Sequence, residues 1–165
     1  MIKKLSGDNL SDTFLIIKSV IDKMTDEMIQ QWDEIYPGLE VLEQDIMNGE
    51  AYGLFSLNEL KGFVVLNEKY SSEYDSLDWA KVGGKSLIIH RLSVKASYQG
   101  QGIATTLMNF SEKYAKENGY SSIKLDAFLD NKTALNLYEK RGYHKVGTVT
   151  FRKGVFNCYE KALNS

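Results

Sequence analysis

The sequence predicts an α+β fold around a mixed sheet, and three observations carry that expectation. Apolar residues recur at helical spacing near the N-terminus and again in the second half. β-rich apolar runs begin at residue 51 and return five more times. Glycines close the helical stretches and open the strands that follow. Strands come first, and then the order runs β-α-β-α-β-β, which suits helices packed on a mixed sheet.

Each element has a local reason. Leu10, Phe14, Ile17, Ile21 and Met24 recur at spacings of four and three, so residues 8–24 read as an amphipathic helix, with Asp8 or Asn9 as its cap. Leu39, Leu42 and Ile46 mark a second short helix after Pro37-Gly38. Residues 51–57 and 60–67 form a hairpin about Asn58-Glu59. The polar stretch 68–85 is an irregular excursion, and 86–95 resumes as a strand. Alternation places His90, Leu92 and Val94 on one face of it, with Ile89, Arg91 and Ser93 on the other. A helix over 101–118 carries Ile103, Leu107, Phe110 and Tyr114 and stops at Asn118-Gly119. A strand at 122–128, a helix at 131–141 ending at Gly142, and strands at 143–151 and 154–162 complete the chain.

The 165 residues make one domain, 1–165, by the prior of about 100–200 residues each. A chain this long typically buries about 70% of the surface that its unfolded form exposes. Hydrophobic residues at 43% and charged residues at 25% exclude disordered and fibrous classes. One cysteine, Cys158, excludes an intramolecular disulfide and a Cys-rich zinc site and points to a reducing compartment. Two histidines, His90 and His144, leave little for a His-based metal site, so no metal is expected. A net charge of −2 gives no electrostatic footprint for nucleic acid. No signal peptide is visible, and the longest apolar runs, Phe14–Ile17 and Phe63–Leu66, fall far short of a membrane span. The expectation is a soluble, cytoplasmic protein without a membrane partner.

The stretch from Val94 to Thr105 carries chemistry. A strand ends, a turn with Gly100 and Gly102 follows, and a helix begins. Glycines let backbone approach a ligand, and the first helical N–H groups lack internal partners and carry partial positive charge. Together they form a site for a pyrophosphate; the plainer alternative is a turn that glycines merely tighten. A P-loop fails because no Lys follows Gly102. A dinucleotide fingerprint fails on Thr105, where a small residue is needed, although Asp126 lies near the distance of its acidic residue.

Gln99-Gly100-Gln101-Gly102-Ile103-Ala104 resembles the Gln/Arg-x-x-Gly-x-Gly/Ala signature of the GNAT superfamily of N-acetyltransferases, directly after a strand ending Arg91-Leu92-Ser93-Val94. Downstream, Asn131-Lys132-Thr133-Ala134 through Leu137-Tyr138 to Gly142-Tyr143 resembles that family's Asn-x-x-Ala-x-x-x-Tyr-x-x-x-Gly-Phe motif, departing only at Tyr143. The resemblance covers roughly residues 50–162 and implies a mixed, mostly antiparallel central sheet flanked by helices. It implies acetyl-CoA as cofactor. The amides of Gln99, Gly100, Gln101, Gly102, Ile103, Ala104 and Thr105 would hold its pyrophosphate. Leu92 and Val94 would present backbone groups to the pantetheine arm and acetyl carbonyl. Asn131 would hydrogen-bond the arm, with Ala134 on the cofactor side of the same helix. Tyr138 would protonate or hydrogen-bond the leaving thiolate; the alternative is an aromatic on the core face of its helix.

Acetyl transfer to an amine needs deprotonation of an ammonium with pKa near 10.4, an oxyanion donor and an acid for the thiolate. The Val94 N–H is the candidate oxyanion donor. His90 is a candidate general base or a satisfied core histidine; Glu68, Glu34 and a water chain are alternatives. Cys158 has no partner that would make it a nucleophile. By resemblance the transfer is direct, in a ternary complex, with a small-molecule or peptide amine as acceptor. Trp32, Tyr36 and Trp79 would line the acceptor cleft or simply cap the core. Polyamine, aminoglycoside, amino acid and protein N-terminus all stay open, as does a homodimer. An acyl-CoA-binding sensor of the same fold is the second reading, and a nucleotide-binding module of unrelated fold the third.

Overall fold

The computed structural model describes residues 1–27, 38–80 and 83–163. Contacts divide the chain into two units, Met1–Leu66 with His90–Ser111, and Asn67–Ile89 with Glu112–Ser165. Seven strands and four α-helices are present among the described residues. The strands lie in the order β1-β2-β3-β4-β5-β7-β6 in one mostly antiparallel sheet.

In the first unit, β1 (Ile2–Lys4) pairs antiparallel with β2 (Ala51–Ser56). Three residues are too few to show alternation, so this strand has no signature in the sequence. β2 and β3 (Glu59–Asn67) form the expected hairpin, but the turn is Leu57-Asn58, one residue earlier than expected. Both turn residues have positive φ, 53° and 61°, as the two-residue turn that matches strand twist requires. Helix α1 (Leu10–Asp26) starts later than expected because a 3-10 turn, Gly7–Asn9, precedes it. Asn9 therefore spends its side-chain oxygen on the Ser6 N–H (2.9 Å), not on a cap for α1.

Ile16, Ile17 and Val20 of α1 join Leu42 and Ile46 of α2 (Leu39–Met47) in one cluster with Phe63 and Val65 of β3. Gly62 and Val64 have the opposite parity on β3. A Cβ at Gly62 would stand 2.8 Å from the Ser93 carbonyl oxygen and 3.1 Å from Ile103. That close approach brings the start of α3 (Ile103–Glu117) against the strand. Strand β4 (Lys85–Val94) supplies His90–Val94 to this unit.

In the second unit, the first half of β4 pairs in parallel with β5 (Tyr120–Phe128). Strand β7 (Gly154–Ala162) is antiparallel to both β5 and β6 (His144–Phe151). Helix α4 (Lys132–Lys140) follows β5. The polar excursion contains a 3-10 turn, Ser72–Ser76, whose Tyr74 is buried. Glu112 near the end of α3 gathers Arg141 (3.0 and 3.2 Å), the Tyr143 hydroxyl (2.9 Å) and Lys161 (3.3 Å). Burial would raise its carboxyl, but the hydrogen bonds from Arg141 and Tyr143 hold it below its ordinary range. Tyr143 is the residue that departs from the downstream motif, and its hydroxyl is what closes this cluster.

Candidate functional site

The residues proposed to meet the cofactor lie in both units. In the first, Gln99 braces the turn. Its amide donates to the Val94 carbonyl oxygen at 3.2 Å, and its side-chain oxygen accepts from Lys23 of α1. Tyr98 is anchored by its hydroxyl, which donates to Glu59 (2.8 Å), and Lys95 pairs with the same carboxylate. The Tyr98 hydrogen bond, then that from Lys95, lowers the Glu59 carboxyl. Gly100 and Gly102 then adopt φ of 81° and 83°, and a Cβ at either would meet nothing within 4 Å. Glycine is needed there for its backbone, and the space beside it is open.

Thr106 is the first residue whose N–H closes onto the turn, at 3.0 Å from the Gly102 carbonyl oxygen. The N–H groups of Ile103, Ala104 and Thr105 therefore have no intrahelical acceptor. Gly102 offers no side chain to cap them, and Gln101, Gly102 and Thr105 are exposed. Amides without helical acceptors at a helix start, beside two glycines and open space, fit a pyrophosphate.

Arg91 changes the reading of β4. Its φ is 55°, which interrupts the two-residue alternation of the strand. The expected common face of His90 with Leu92 and Val94 presumes an unbroken strand, so parity no longer supports it. Arg91 is held by a bidentate pair with Asp45 of α2, at 2.7 and 3.1 Å, with both side chains about nine-tenths buried. Ser93 donates its hydroxyl to the Arg91 carbonyl oxygen at 2.8 Å. Nothing in the spacing of residues announces this clamp. His90 and Leu92 are half-buried, and Val94 is buried.

In the second unit, the Asn131 side-chain oxygen accepts from the Ala134 N–H at 3.2 Å and so caps α4. Tyr138 is buried, with its ring 6.0 Å from Tyr143 and 6.1 Å from Tyr159. Among the described residues, no hydrogen bond reaches its hydroxyl. Burial, then the Asp126 charge, pushes that phenol far above its ordinary range. Burial also pushes the Cys158 thiol up to about 12, so it stays protonated at neutral pH and is a poor nucleophile.

Trp79 donates its indole N–H to the Tyr74 carbonyl oxygen (2.7 Å), and Lys124 lies 4.7 Å from its ring. It lines a cavity of about 330 Å³ together with Asp78, Gly84 and Lys124. Glu68 is exposed and accepts from the Tyr120 hydroxyl at 3.0 Å. Trp32, Tyr36 and Glu34 lie outside the described residues. No group of His, Cys, Asp or Glu placed to hold a metal ion occurs among the described residues. No helix among them is long and apolar enough to cross a membrane.

This seven-stranded sheet, with α3 after β4 and an Asn-capped α4 after β5, is an architecture shared with solved structures described as acetyltransferases. The acetyltransferase (GNAT) family model matches residues 17–143, and the chain belongs to that family. Mouse (Mus musculus) N-acetyltransferase 8 is 38% identical over 66 residues, which are 40% of this chain and 29% of that protein's length. A GNAT-family acetyltransferase from Streptococcus agalactiae 2603 superposes with a TM-score of 0.88 at 21% identity, covering 100% of this chain and 96% of that one. PaiA N-acetyltransferase from Thermoplasma acidophilum, solved in complex with coenzyme A, has a TM-score of 0.73 at 21% identity over 99% and 98% of the two chains. At that identity, these two structures speak for the fold alone.

Proposed function

We propose that this protein is an N-acetyltransferase that moves an acetyl group from acetyl-CoA directly to a primary amine. The observation that carries the reading is the start of α3, where amides without helical acceptors face open space beside Gly100 and Gly102. Acetyl-CoA, when bound, supplies a thioester carbon open to an amine. The amides of Gly100 through Thr105 would hold its pyrophosphate, the Gln99 N–H being donated to the Ala96 carbonyl oxygen (3.4 Å), and the backbone groups of Leu92 and Val94 would align the arm. Val94 accepts from Gln99 at its carbonyl oxygen, and in this reading its N–H would be the oxyanion donor.

Asn131 and Ala134 complete the cofactor side, and Tyr138 holds a proton for the departing sulfur. A phenol is neutral at physiological pH, as a proton donor must be, and burial makes this one hold its proton more tightly still. With Cys158 protonated, no acyl-enzyme is required. The acceptor is a small-molecule or peptide amine, and Trp79 lies on the wall that meets it. We assign the protein to the cytoplasm on its lone, buried thiol.

Calorimetric titration with acetyl-CoA, followed by thiol release across an amine panel, tests the proposal. Binding below millimolar and turnover with at least one amine are expected. Gly102→Glu should abolish binding, because it forces a left-handed φ on a side chain and sets a carboxylate at the anion site. Retained affinity in that variant would sink the pyrophosphate assignment.

A further inference from the structure

Building on the transferase reading, we propose that Asp126, held by the Tyr74 hydroxyl, takes the proton from the acceptor ammonium. Asp126 lies on β5 in register with Cys158 of β7. It is half-buried, and among the described residues no cation pairs with it. The Tyr74 hydroxyl donates to its Oδ2 at 2.5 Å. A carboxylate withdrawn from water with one neutral donor is costly to ionise, and groups kept in that condition concentrate where protons are moved.

Tyr74 is there for a visible reason. It is buried, its ring lies 5.1 Å from Trp79 and 5.9 Å from Tyr70, and Trp79 ties down its carbonyl oxygen. The excursion between β3 and β4 thereby delivers one hydroxyl to one carboxylate. The titratable groups around Asp126 are Tyr74, Tyr138 of α4 and Cys158 of β7, with Lys124 and Glu160 two residues further along the same faces of β5 and β7, Lys124 lying over the Trp79 ring. Burial pushes the Asp126 carboxyl up, and the Tyr74 hydrogen bond opposes it. The Asp126 charge also raises both Tyr138 and Cys158, so base and acid stand within electrostatic reach of each other.

The proton inventory closes. An N–H bond of the ammonium breaks, and its proton passes to Asp126 at Oδ1, the oxygen that Tyr74 does not engage. The amine lone pair forms the C–N bond as the C–S bond breaks. Tyr138 gives its phenol proton to the departing sulfur and recovers one from the nitrogen. Asp126 releases its proton to solvent, leaving an amide, a thiol and one proton.

Asp126→Asn and Tyr74→Phe test the assignment with an amine taken from the panel above and with weakly basic trifluoroethylamine, largely neutral at pH 7. For Asp126→Asn, acetyl-CoA affinity should stay within about twofold. Its kcat/KM for the basic amine should fall about 10²–10³-fold. The loss should shrink for trifluoroethylamine, which needs no deprotonation. Its Tm at pH 7 should rise or hold, because the charge removed is one that burial disfavours. Tyr74→Phe should move the acidic limb of kcat/KM to higher pH, since the donor that favours the carboxylate is gone.

Equal losses for the two amines, or a lower Tm with weakened acetyl-CoA binding, would show a structural Asp126 and overturn the proposal. Undiminished transfer by Asp126→Asn overturns it while leaving the transferase reading intact. A wild-type protein that binds no acetyl-CoA, or acetylates no amine, removes that reading and this one together.

Discussion

Arg91 combines two costs that normally exclude each other. A non-glycine residue at φ 55° is disfavoured by about 1–2 kcal/mol, and a buried ion pair is expensive to desolvate. The two are coupled here, because the Asp45 carboxylate fixes the guanidinium and so holds the backbone where β4 departs from regular pleat. Arg91→Gly keeps the backbone conformation and loses the pair, whereas Arg91→Ala loses the pair and keeps the strain. Both should be destabilised by about 3–5 kcal/mol, because Asp45 is left buried and unpaired. The Ala variant should be worse by about 1 kcal/mol in urea unfolding. Equal stabilities would mean that the backbone relaxes and the clamp does not hold it. Tyr138 gives a cleaner functional contrast. Phenylalanine keeps the ring contacts with Tyr143 and Tyr159, and the hydroxyl contributes no hydrogen bond among the described residues. Tyr138→Phe should therefore fold normally and bind acetyl-CoA, with kcat lowered about 10²-fold. An unchanged kcat in steady-state thiol release would return Tyr138 to the role of a core aromatic.

At the scale of elements, the start of α3 is placed by an absence. Gly62 has no side chain, so β3 can approach the Ser93 backbone and Ile103 more closely than any Cβ permits. Gly62→Ala would put a methyl 2.8 Å from a carbonyl oxygen, which cannot rotate away. A cost of about 1–3 kcal/mol is expected, with weaker acetyl-CoA binding, because the helix carrying the free amides must shift. Thermal melts and calorimetry on the same variant check both. The element boundaries show the same dependence on neighbours. The helix and strand periods were readable for α1, α2, α3, β5 and α4, where a buried face repeats. β1 was not, since three residues paired to β2 carry no period, and the hairpin turn slipped by one because both turn residues had to accept positive φ.

For the whole molecule, acid stability follows from two carboxyls shifted in opposite directions. Glu112 is held below its ordinary pKa, so its stabilisation is present above the unfolded value near 4.5 and is lost as pH falls through the lower folded value. Asp126 is raised from 3.8, so it costs stability as pH climbs through its folded pKa. Glu112→Gln should therefore reduce Tm at pH 7 and flatten the acid limb, with the difference from wild type vanishing at low pH. A constant offset at every pH in calorimetric melts would remove electrostatics as the cause.

The two motifs, Gln99 to Ala104 and Asn131 to Tyr143, were legible because they repeat local requirements: left-handed glycines, a helix start without a cap, and an Asn that accepts from the first turn of its helix. Local backbone conformation is dictated by neighbouring residues, so sequence by itself determined the α+β class and the family, and singled out the segment proposed for the cofactor. It could not reveal Arg91 with Asp45, Tyr74 with Asp126, or Gly62 with Ser93, which join residues distant in the chain. Nor could it show that strand parity is interrupted between His90 and Leu92, because the break at Arg91 accompanies a carboxylate supplied from α2. Burial and pairing are properties of the folded chain. They decided which carboxylates carry shifted pKa values, and through them which group stands ready to take a proton.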